Sequence, residues 1–538
     1  MRRTSGAYDA IVIGAGHNGL VCAAYLARGG LRTVVVEARD SVGGMAETRE
    51  LWPGVGVPVL AHTVGRLRPQ IVRDLRLRAN GLRLVEPEVR VFAPQPDGRG
   101  IVLHGDVALT ANALATNELV GPRDAAAYAD VDARVRALAG ALAKVNGRAP
   151  VDLASPGLVD VLDGVRTVLA ARKRARSGGD GLLRTMPMAV RDLVEEWFES
   201  DALRAVLAAR GVLLSGLGPR MPGSAAVLLN DSAGNDGGLA GQSVFARGGP
   251  GALSESLASA ARSLGVELRL GVRVVAVRRS IETATGVALA DGEEIDAPVV
   301  VSSLDPRTTL LSLLEPEVVG PRLSWRAANI RQRGMTAKVN FALRALPHFP
   351  AAADDERKLR GRIVLAPSMK ALDEAARPAK YGEMSTEPLI EATIPTLVDP
   401  GLVAGERANG VKHVLSAIVQ WVPEGVTTDV AEVATRILED YAPGFADLIK
   451  DRQVLSPEDI ERDYGSAGGH PMHAEAGLDQ WFEWRPLHGF GRYRMPLKGM
   501  YLAGSGAHPG GGVTGAPGQL AAGEVLADAR AGLITVRP

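Results

Sequence analysis

The sequence predicts an α/β protein with a Rossmann-type dinucleotide-binding domain and an inserted α+β domain. Near the start, the apolar strand Asp9–Ile13 leads through a glycine-rich turn into a helix. Near the end, the apolar run Met500–Ala503 again precedes a glycine-rich loop and a helix. A chain of 538 residues exceeds what one compact core accommodates. We therefore expect the residues between these two ends to contribute a second domain.

The turn after the first strand has the spacing of a dinucleotide-binding fingerprint. Gly14 permits the tight turn, Gly16 lets the backbone approach a pyrophosphate, and Gly19 allows the helix to pack closely on the strand. The helix, from Asn18 to about Gly29, offers free N–H groups to the phosphates. Glu37, at the end of the next apolar strand, is placed to accept from ribose hydroxyls. The residues assigned to the cofactor in this segment are Gly14, Ala15, Gly16, His17, Asn18, Gly19, Glu37, Ala38 and Arg39.

Two further glycine-rich segments favour FAD over NAD. Gly43-Gly44 gives a second close backbone approach, which plain NAD-binding Rossmann domains lack. The segment Gly504–Gly515 can bring another helix N-terminus to the pyrimidine edge of a flavin. A flexible surface loop is the alternative, but the position between an apolar strand and a helix argues against it. No cysteine lies in these motifs, so we expect non-covalent FAD. The residues assigned here are Gly43, Gly44, Met45, Ala46, Gly504, Ser505, Gly512, Val513 and Thr514.

The rest of the chain alternates between strand and helix patterns. Short strands are predicted between residues 81 and 105, and helical periodicity dominates from 123 to 216. Another helix follows Gly248-Gly-Pro-Gly251, and alternating strands follow from Val266 to Val301. Later strands are predicted at Ala337–Leu343, Arg362–Leu365, Leu389–Ile394 and Lys412–Val422.

Four segments carry a resemblance to a known family. They are IGAGHNGL at Ile13–Leu20, RPQIVRDLRLRANGLRL at Arg68–Leu84, GGHPMHAEAGLDQW at Gly468–Trp481 and GSGAHPGGGVTGA at Gly504–Ala516. Together they resemble the carotenoid (phytoene) desaturase branch of the flavin amine oxidase superfamily, and within it the phytoene-desaturase-like proteins of mitochondria and bacteria. The resemblance covers nearly the whole chain. One departure is Met45, where many relatives carry a larger polar residue.

The resemblance implies an amine-oxidase-like fold. In such a fold a Rossmann-type FAD-binding domain carries a substrate domain that has a mixed sheet and a helical lobe. We expect residues 1–75, 240–305 and 495–538 to form the FAD-binding domain. We expect residues 76–239 and 306–494 to form the substrate-binding domain.

The implied activity is that of an FAD-dependent oxidoreductase: a dehydrogenase, desaturase or oxidase that transfers hydride from an apolar or amphipathic small molecule to flavin N5. Oxygen or a quinone is the expected acceptor. The strand that begins near Val272 would place Val274 against the adenine through its backbone. Two alternatives stay open: a redox-neutral isomerase or hydratase acting on reduced FAD, and a non-catalytic, flavin-bound regulatory protein.

Three residues are candidates for catalysis. Lys338 lies on an apolar strand where related amine oxidases carry a lysine that holds a water near flavin N5; a strand lysine facing solvent is the alternative. His62 and His508 lie in segments that the family brings near the flavin ring, and packing or hydrogen bonding to backbone is the alternative for both. His470 and His473 lack a convincing third ligand, so we expect no metal site.

The amino-acid composition limits which binding partners and which cellular location we expect for the protein. The 61 basic and 61 acidic residues cancel, so no nucleic-acid partner is expected. The one cysteine, Cys22, excludes a disulfide, and no signal peptide or long apolar span is recognisable. We expect a cytoplasmic monomer or homodimer. The basic segment Arg172–Arg176 follows an apolar helical face at Leu158–Leu169, and fits either peripheral contact with an anionic membrane or a solvated helix end.

A prediction concerns nicotinamide cofactors. Only one complete dinucleotide fingerprint is present, because Gly248-Gly-Pro-Gly251 follows no apolar strand and has no acid ending a second strand in register. NADH and NADPH should therefore not reduce the bound flavin at a useful rate in an anaerobic stopped-flow experiment. Rapid bleaching by either nucleotide would require a second nucleotide site.

Overall fold

A five-stranded parallel sheet lies beneath the predicted dinucleotide site. The computed structural model describes residues 3–4, 8–151, 181–234 and 237–536. Strands that are buried on both faces read as continuous apolar runs, which is what AIVI, TVVV and VVVS show. The sheet draws on three separated parts of the chain. Its order is Glu267–Arg269, Thr33–Val36, Ala10–Ile13, Val299–Ser302 and Met500–Leu502.

Three helices pack together against this sheet. The helix His17–Arg28 contacts both Pro250–Ser263 and Ala516–Arg530. Contact with the C-terminal helix is close, because a Cβ at Gly518 would lie 2.1 Å from the carbonyl oxygen of Asn18. The two ends of the chain therefore meet in one layer.

A second sheet has seven strands and forms the core of the inserted part. All neighbouring strands in it are antiparallel except Arg362–Leu365 and Val89–Pro94, which run parallel. The strand Thr336–Leu343 is buried along its whole length. The order is Ile449–Leu455, Thr336–Leu343, His413–Gln420, Ile390–Thr393, Arg362–Leu365, Val89–Pro94 and Gly100–His104.

The remaining strands of the described residues form three smaller sheets. A four-stranded sheet has the order Arg3–Thr4, Glu294–Asp296, Thr283–Leu289 and Val274–Ser280. Two-stranded sheets pair Thr48–Trp52 with Val55–Pro58, and Leu84–Val85 with Phe245–Ala246. A short strand thus precedes Gly248-Gly-Pro-Gly251, which the sequence pattern did not predict.

Helices cover the seven-stranded sheet and form a separate lobe. The lobe buries Tyr128 against Phe198, whose ring centroids lie 6.4 Å apart. Its helices are Val107–Ala115, Pro122–Val145, Leu182–Thr185, Val190–Glu195, Asp201–Ala209 and Ser224–Ala233. The others are Pro69–Asp74, Pro306–Leu311, Pro316–Ala328, Met369–Ala376, Pro395–Val398, Val430–Tyr441, Phe445–Leu448 and Pro457–Tyr464. The predicted helix at 158–169 and the basic segment 172–176 fall outside the described residues.

Candidate active site

The turn after the first strand has the geometry that its glycines predict. Gly14 has a φ of +96°, and a Cβ there would lie 2.5 Å from Oγ of Ser303. At Gly16 a Cβ would meet nothing within 4 Å, so the backbone faces open space. At Gly19 a Cβ would lie 2.1 Å from the carbonyl oxygen of Gly14, so the helix packs tightly on the turn. The turn therefore packs tightly against the protein at Gly14 and Gly19, whereas its backbone at Gly16 is open to a ligand.

Gly43 joins the second glycine-rich segment to the first. Its φ is +113°, and its amide donates to the carbonyl of Ala15 at 2.9 Å. The Glu37 carboxylate fixes the same region from the other side. It accepts from the amides of Ala15 at 2.7 Å and Arg39 at 2.9 Å. Three backbone turns are therefore held around one groove.

The C-terminal loop closes over the first turn. The side-chain amide of Asn18 donates to Oγ of Ser505 at 3.1 Å, and Nε2 of His17 lies 3.2 Å from the carbonyl of Gly512. Oγ1 of Thr514 accepts the amide of Ala516, the first residue of the final helix, at 3.1 Å. Residues almost five hundred positions apart thus form one wall.

Most of the cofactor residues predicted from the sequence line one groove. Those on its surface are Gly14, Gly16, His17, Asn18, Gly19, Glu37, Ala38, Arg39, Gly43, Gly44, Met45, Val274 and Ser505. Ala46, Gly512 and Val513 line an adjoining cavity instead. Ala15, Gly504 and Thr514 line neither and act through backbone packing, since a Cβ at Gly504 would lie 2.5 Å from the carbonyl of Ser303.

The adjoining cavity is continuous with the groove. His17, Met45, Pro471 and Ser505 line both. Much of its remaining wall is apolar, formed by Leu60, Leu213, Leu214, Ile418, Met472 and Val513. A polar side carries His62, Arg66, Arg210, Asp231, Gln242 and Glu391.

His62 and Lys338 meet beside this polar side. Nζ of Lys338 lies 2.8 Å from Nδ1 of His62, and both side chains are buried. Burial lowers the pKa of Lys338 to about 7, and the charge of Glu391 opposes this only in part. Burial, followed by the charge of Lys338, lowers the pKa of His62 to about 4. The pair therefore comprises a neutral imidazole and an amine that titrates near neutrality.

Strand register explains how Lys338 reaches this place. Lys338 pairs with Ile418 on one neighbouring strand, and Ile418 pairs with Glu391 on the next. Directly paired residues point to the same face of a sheet. Ile418 and Glu391 both line the cavity, so this row forms its floor. The solvent-facing alternative for Lys338 is wrong, because the side chain has no exposed surface.

A network of ions surrounds Glu391. Its carboxylate accepts from Arg210 at 2.9 and 3.0 Å and from Arg362 at 3.1 Å, and lies 3.7 Å from Nε2 of His62. Asp231 accepts from Arg210 at 2.6 and 3.2 Å. Burial opposes ionisation of Glu391, yet Arg210 and Arg362 hold its pKa well below the usual value.

Sequence patterns did not single out Arg66, Arg210, Asp231, Arg362 or Glu391. A signal was present for two of them. Glu391 and Arg362 each interrupt a short, buried apolar strand, where an ionised side chain requires a partner. Nothing in the local sequence identifies Arg210 or Asp231 as that partner.

His508 does not join this cluster. Its ring packs against Phe482, with 6.0 Å between centroids, and it lines neither the groove nor the adjoining cavity. Burial, followed by the charge of Arg485, lowers its pKa to about 3. His470 instead accepts the amide of Met472 at 3.0 Å, and His473 lines the groove. Among the described residues no three side chains of the metal-binding types converge on a point.

The groove fits FAD. The bare backbone at Gly16 faces open space, and the buried Oδ1 of Asn18 has no partner within the described chain. Both features suit a ligand that brings phosphates and hydroxyls to the turn.

Comparison with known proteins identifies the family. The family described as "NAD(P)-binding Rossmann-like domain" matches residues 12–75. The family described as "Flavin containing amine oxidoreductase" matches residues 223–528, more than half of the chain. The chain belongs to the flavin-containing amine oxidoreductase family. It is an FAD-dependent oxidoreductase, and the fold class, cofactor and family predicted from the sequence are confirmed.

Relatives of this flavin-containing amine oxidoreductase span nearly its full length. The rat "Pyridine nucleotide-disulfide oxidoreductase domain-containing protein 2" is 34% identical over 97% of this chain and 94% of its own. A hydroxyneurosporene desaturase from Cereibacter sphaeroides is 30% identical over 96% and 97%. One of the subunits of limonene dehydrogenase from Castellaniella defragrans is 25% identical over 97% and 94%.

Solved structures share the fold. Cyclohexylamine oxidase from Brevibacterium oxydans superposes with a TM-score of 0.58 at 17% identity, over 97% of this chain and 100% of its own. An oxidoreductase from Methanosarcina mazei gives 0.61 at 16%, over 96% and 100%. A dithiol–disulfide cycle requires two thiols, and the only cysteine here is the buried Cys22. Across the described residues, no helix combines the length and apolarity needed to cross a bilayer.

Substituting Glu37 with alanine should weaken FAD binding. The change leaves the amides of Ala15 and Arg39 without their acceptor and removes the acceptor expected for the ribose. The loss should be on the order of 1–3 kcal/mol, or roughly 5- to 150-fold in Kd. Equilibrium dialysis of the apoprotein with FAD measures this. Glu374→Ala, at an exposed helical carboxylate, is the control, and an unchanged Kd in Glu37→Ala would refute the assignment.

Proposed function

We propose that this flavoprotein dehydrogenates an apolar or amphipathic small molecule rather than an amine. The observation that carries the proposal is the cavity next to the FAD groove, whose wall combines apolar side chains with arginines. The names of two relatives, a hydroxyneurosporene desaturase and one of the limonene dehydrogenase subunits, denote action on apolar compounds. Both relatives span almost the full length of this chain.

The charge of the ion cluster beside the cavity, with Arg362 behind the wall included, argues against a cationic substrate. Arg66 and Arg210 line the cavity, and Arg362 lies against the same carboxylate as Arg210. Asp231 and Glu391 are the acidic residues on the wall. Three cations against two anions leave an excess of positive charge in a poorly solvated place, where charges interact strongly. A protonated amine would be repelled there.

Lys338 and His62 are suited to handle a proton. Dehydrogenation breaks two bonds to hydrogen: one leaves as hydride and the other as a proton. Bound FAD supplies the acceptor for the hydride. His62 faces the cavity and connects it to Lys338. The neutral amine of Lys338 accepts the proton at Nζ. A base is most effective when its pKa lies near the working pH, and the Lys338 amine meets that condition.

Electrons are proposed to leave by oxygen or a quinone rather than by a nicotinamide. The turn at Gly248-Gly-Pro-Gly251 has its amides occupied by the protein itself. Gly248 donates to the carboxylate of Asp399 at 2.6 Å, and Gly251 donates to Oγ1 of Thr48 at 3.0 Å. These donors are therefore already used and do not need a phosphate.

A flavin-bleaching screen tests the proposal. Holoenzyme would be mixed anaerobically with limonene, phytoene in detergent micelles, decanoate, cyclohexylamine and putrescine, and flavin absorbance followed. Bleaching by one of the apolar or amphipathic compounds supports the proposal. Bleaching by the amines alone would overturn it. Turnover that requires pre-reduced FAD and consumes no reductant would select the isomerase or hydratase alternative.

Lys338→Met should slow flavin reduction by the substrate without releasing FAD. General base catalysis contributes on the order of 100-fold or more. Because the pKa of Lys338 is lowered to about 7, its neutral form prevails above that pH. The reduction rate should therefore rise with pH through about 7 in the parent and lose that rise in the variant.

Stopped-flow reduction between pH 5.5 and 9 gives both quantities. Lys370→Met, at an exposed lysine, is the matched control and should keep the parent profile. An identical pH profile in Lys338→Met would show that the lysine takes no part in proton transfer.

A further inference from the structure

One arginine on the cavity wall makes no ion pair within 4 Å among the described residues, although burial, which lowers its pKa, is opposed in part by the charge of Asp231. Arg66 makes a single hydrogen bond, from Nη2 to the backbone carbonyl of Asn230 at 3.0 Å. Its Nε is buried without a hydrogen-bond partner, and no carboxylate of the described chain lies within 4 Å of it. A buried guanidinium nitrogen left unpaired is costly, so this site is incomplete as the chain alone forms it.

The nearby carboxylates already accept hydrogen bonds from other arginines. Both oxygens of Asp231 accept from Arg210, and both oxygens of Glu391 accept from Arg210, with Arg362 adding a third contact. Neither acid makes a hydrogen bond or an ion pair within 4 Å with Arg66 in the described chain. The two acids and the three arginines carry a formal charge of +1, which one anion would neutralise.

Arg66 also lies where a ligand could reach it. Its side chain lines the cavity next to the FAD groove and a second, adjoining cavity, and both share Leu213, Leu214 and Met472. The two cavities also share Arg210 and Asp231, so the guanidinium lies beside apolar side chains and an existing ion pair. A planar guanidinium with free N–H groups matches a carboxylate in a bidentate arrangement.

We propose that the substrate is an amphipathic acid, an apolar chain that ends in a carboxylate, and that Arg66 binds the carboxylate. The inference rests on the proposed function, which places an apolar or amphipathic molecule in this cavity. It goes further by giving the substrate a negative charge and by naming the residue that binds the charged group. Arg66 is then a specificity determinant, while Lys338 and His62 serve the chemistry.

Titration of the holoenzyme with three ten-carbon probes tests the proposal. Decanoate, methyl decanoate and decylamine would be added separately, and perturbation of the flavin absorbance would give each Kd. Decanoate should bind about tenfold or more tightly than its methyl ester, because only the acid offers charge-assisted hydrogen bonds. Decylamine should bind more weakly than either.

Variants assign this preference to Arg66. Arg66→Met should remove the difference in Kd between acid and ester. Arg66→Lys should keep part of that difference, because lysine retains the positive charge but cannot form the bidentate hydrogen bonds of a guanidinium. Arg436→Met, at an exposed arginine that pairs with Glu387, should behave as the parent. Should Arg66→Met fail to retain FAD, the parent's acid–ester comparison and Arg66→Lys still decide the matter.

The negative outcomes separate the two proposals. Equal affinity for decanoate and its ester in the parent overturns the carboxylate inference but leaves the apolar cavity supported. If neither decanoate nor its ester perturbs the flavin while limonene or phytoene bleaches it, the carboxylate inference is overturned and the proposed function stands. If Arg66→Met shifts the midpoint potential of the flavin but preserves the acid–ester difference, Arg66 serves the flavin and the inference is wrong.

Discussion

The ion pairs of Glu391 hold together the parts of the molecule that form the cavity beside the FAD groove. Through Arg210 this carboxylate connects the helical lobe to the seven-stranded sheet, and through Arg362 it connects two strands of that sheet. Breaking a buried pair by removing one partner typically costs about 3–5 kcal/mol, because a charge is left uncompensated. The same carboxylate lies beside His62, so the position of the imidazole depends on it as well.

The FAD groove depends on a different kind of interaction. Its walls are largely backbone: the amide of Gly43 on the carbonyl of Ala15, the amides of Ala15 and Arg39 on Glu37, and the close packing at Gly19. Such a site requires little of its side chains beyond their absence at a few positions. This is why a short spacing of glycines after an apolar strand suffices to predict it, whereas no comparable pattern predicts the cavity beside it.

The sequence therefore predicts the FAD groove better than the cavity beside it. Gly14, Gly16, Glu37 and Gly43 are local signals, and the structure brings them to one groove as expected. Lys338 was recognisable only as a lysine in an apolar strand. Its contact with His62, and its place in one row with Ile418 and Glu391, depend on strand register. Register is set by pairing across the sheet, which no local pattern records.

This division suggests how one scaffold can serve different substrates. The cofactor is bound by backbone turns whose geometry tolerates few changes, since a Cβ at Gly14, Gly19 or Gly43 would meet atoms closer than 3 Å. The cavity is shaped by side chains, among them the charged residues Arg66, Arg210, Asp231 and Glu391. The fold is shared with proteins such as cyclohexylamine oxidase, whereas the anionic substrate proposed for this chain follows from the arginine and the imidazole on its cavity wall. The fold thus accounts for the cofactor groove, while the proposed choice of substrate rests on a few charged side chains of the cavity.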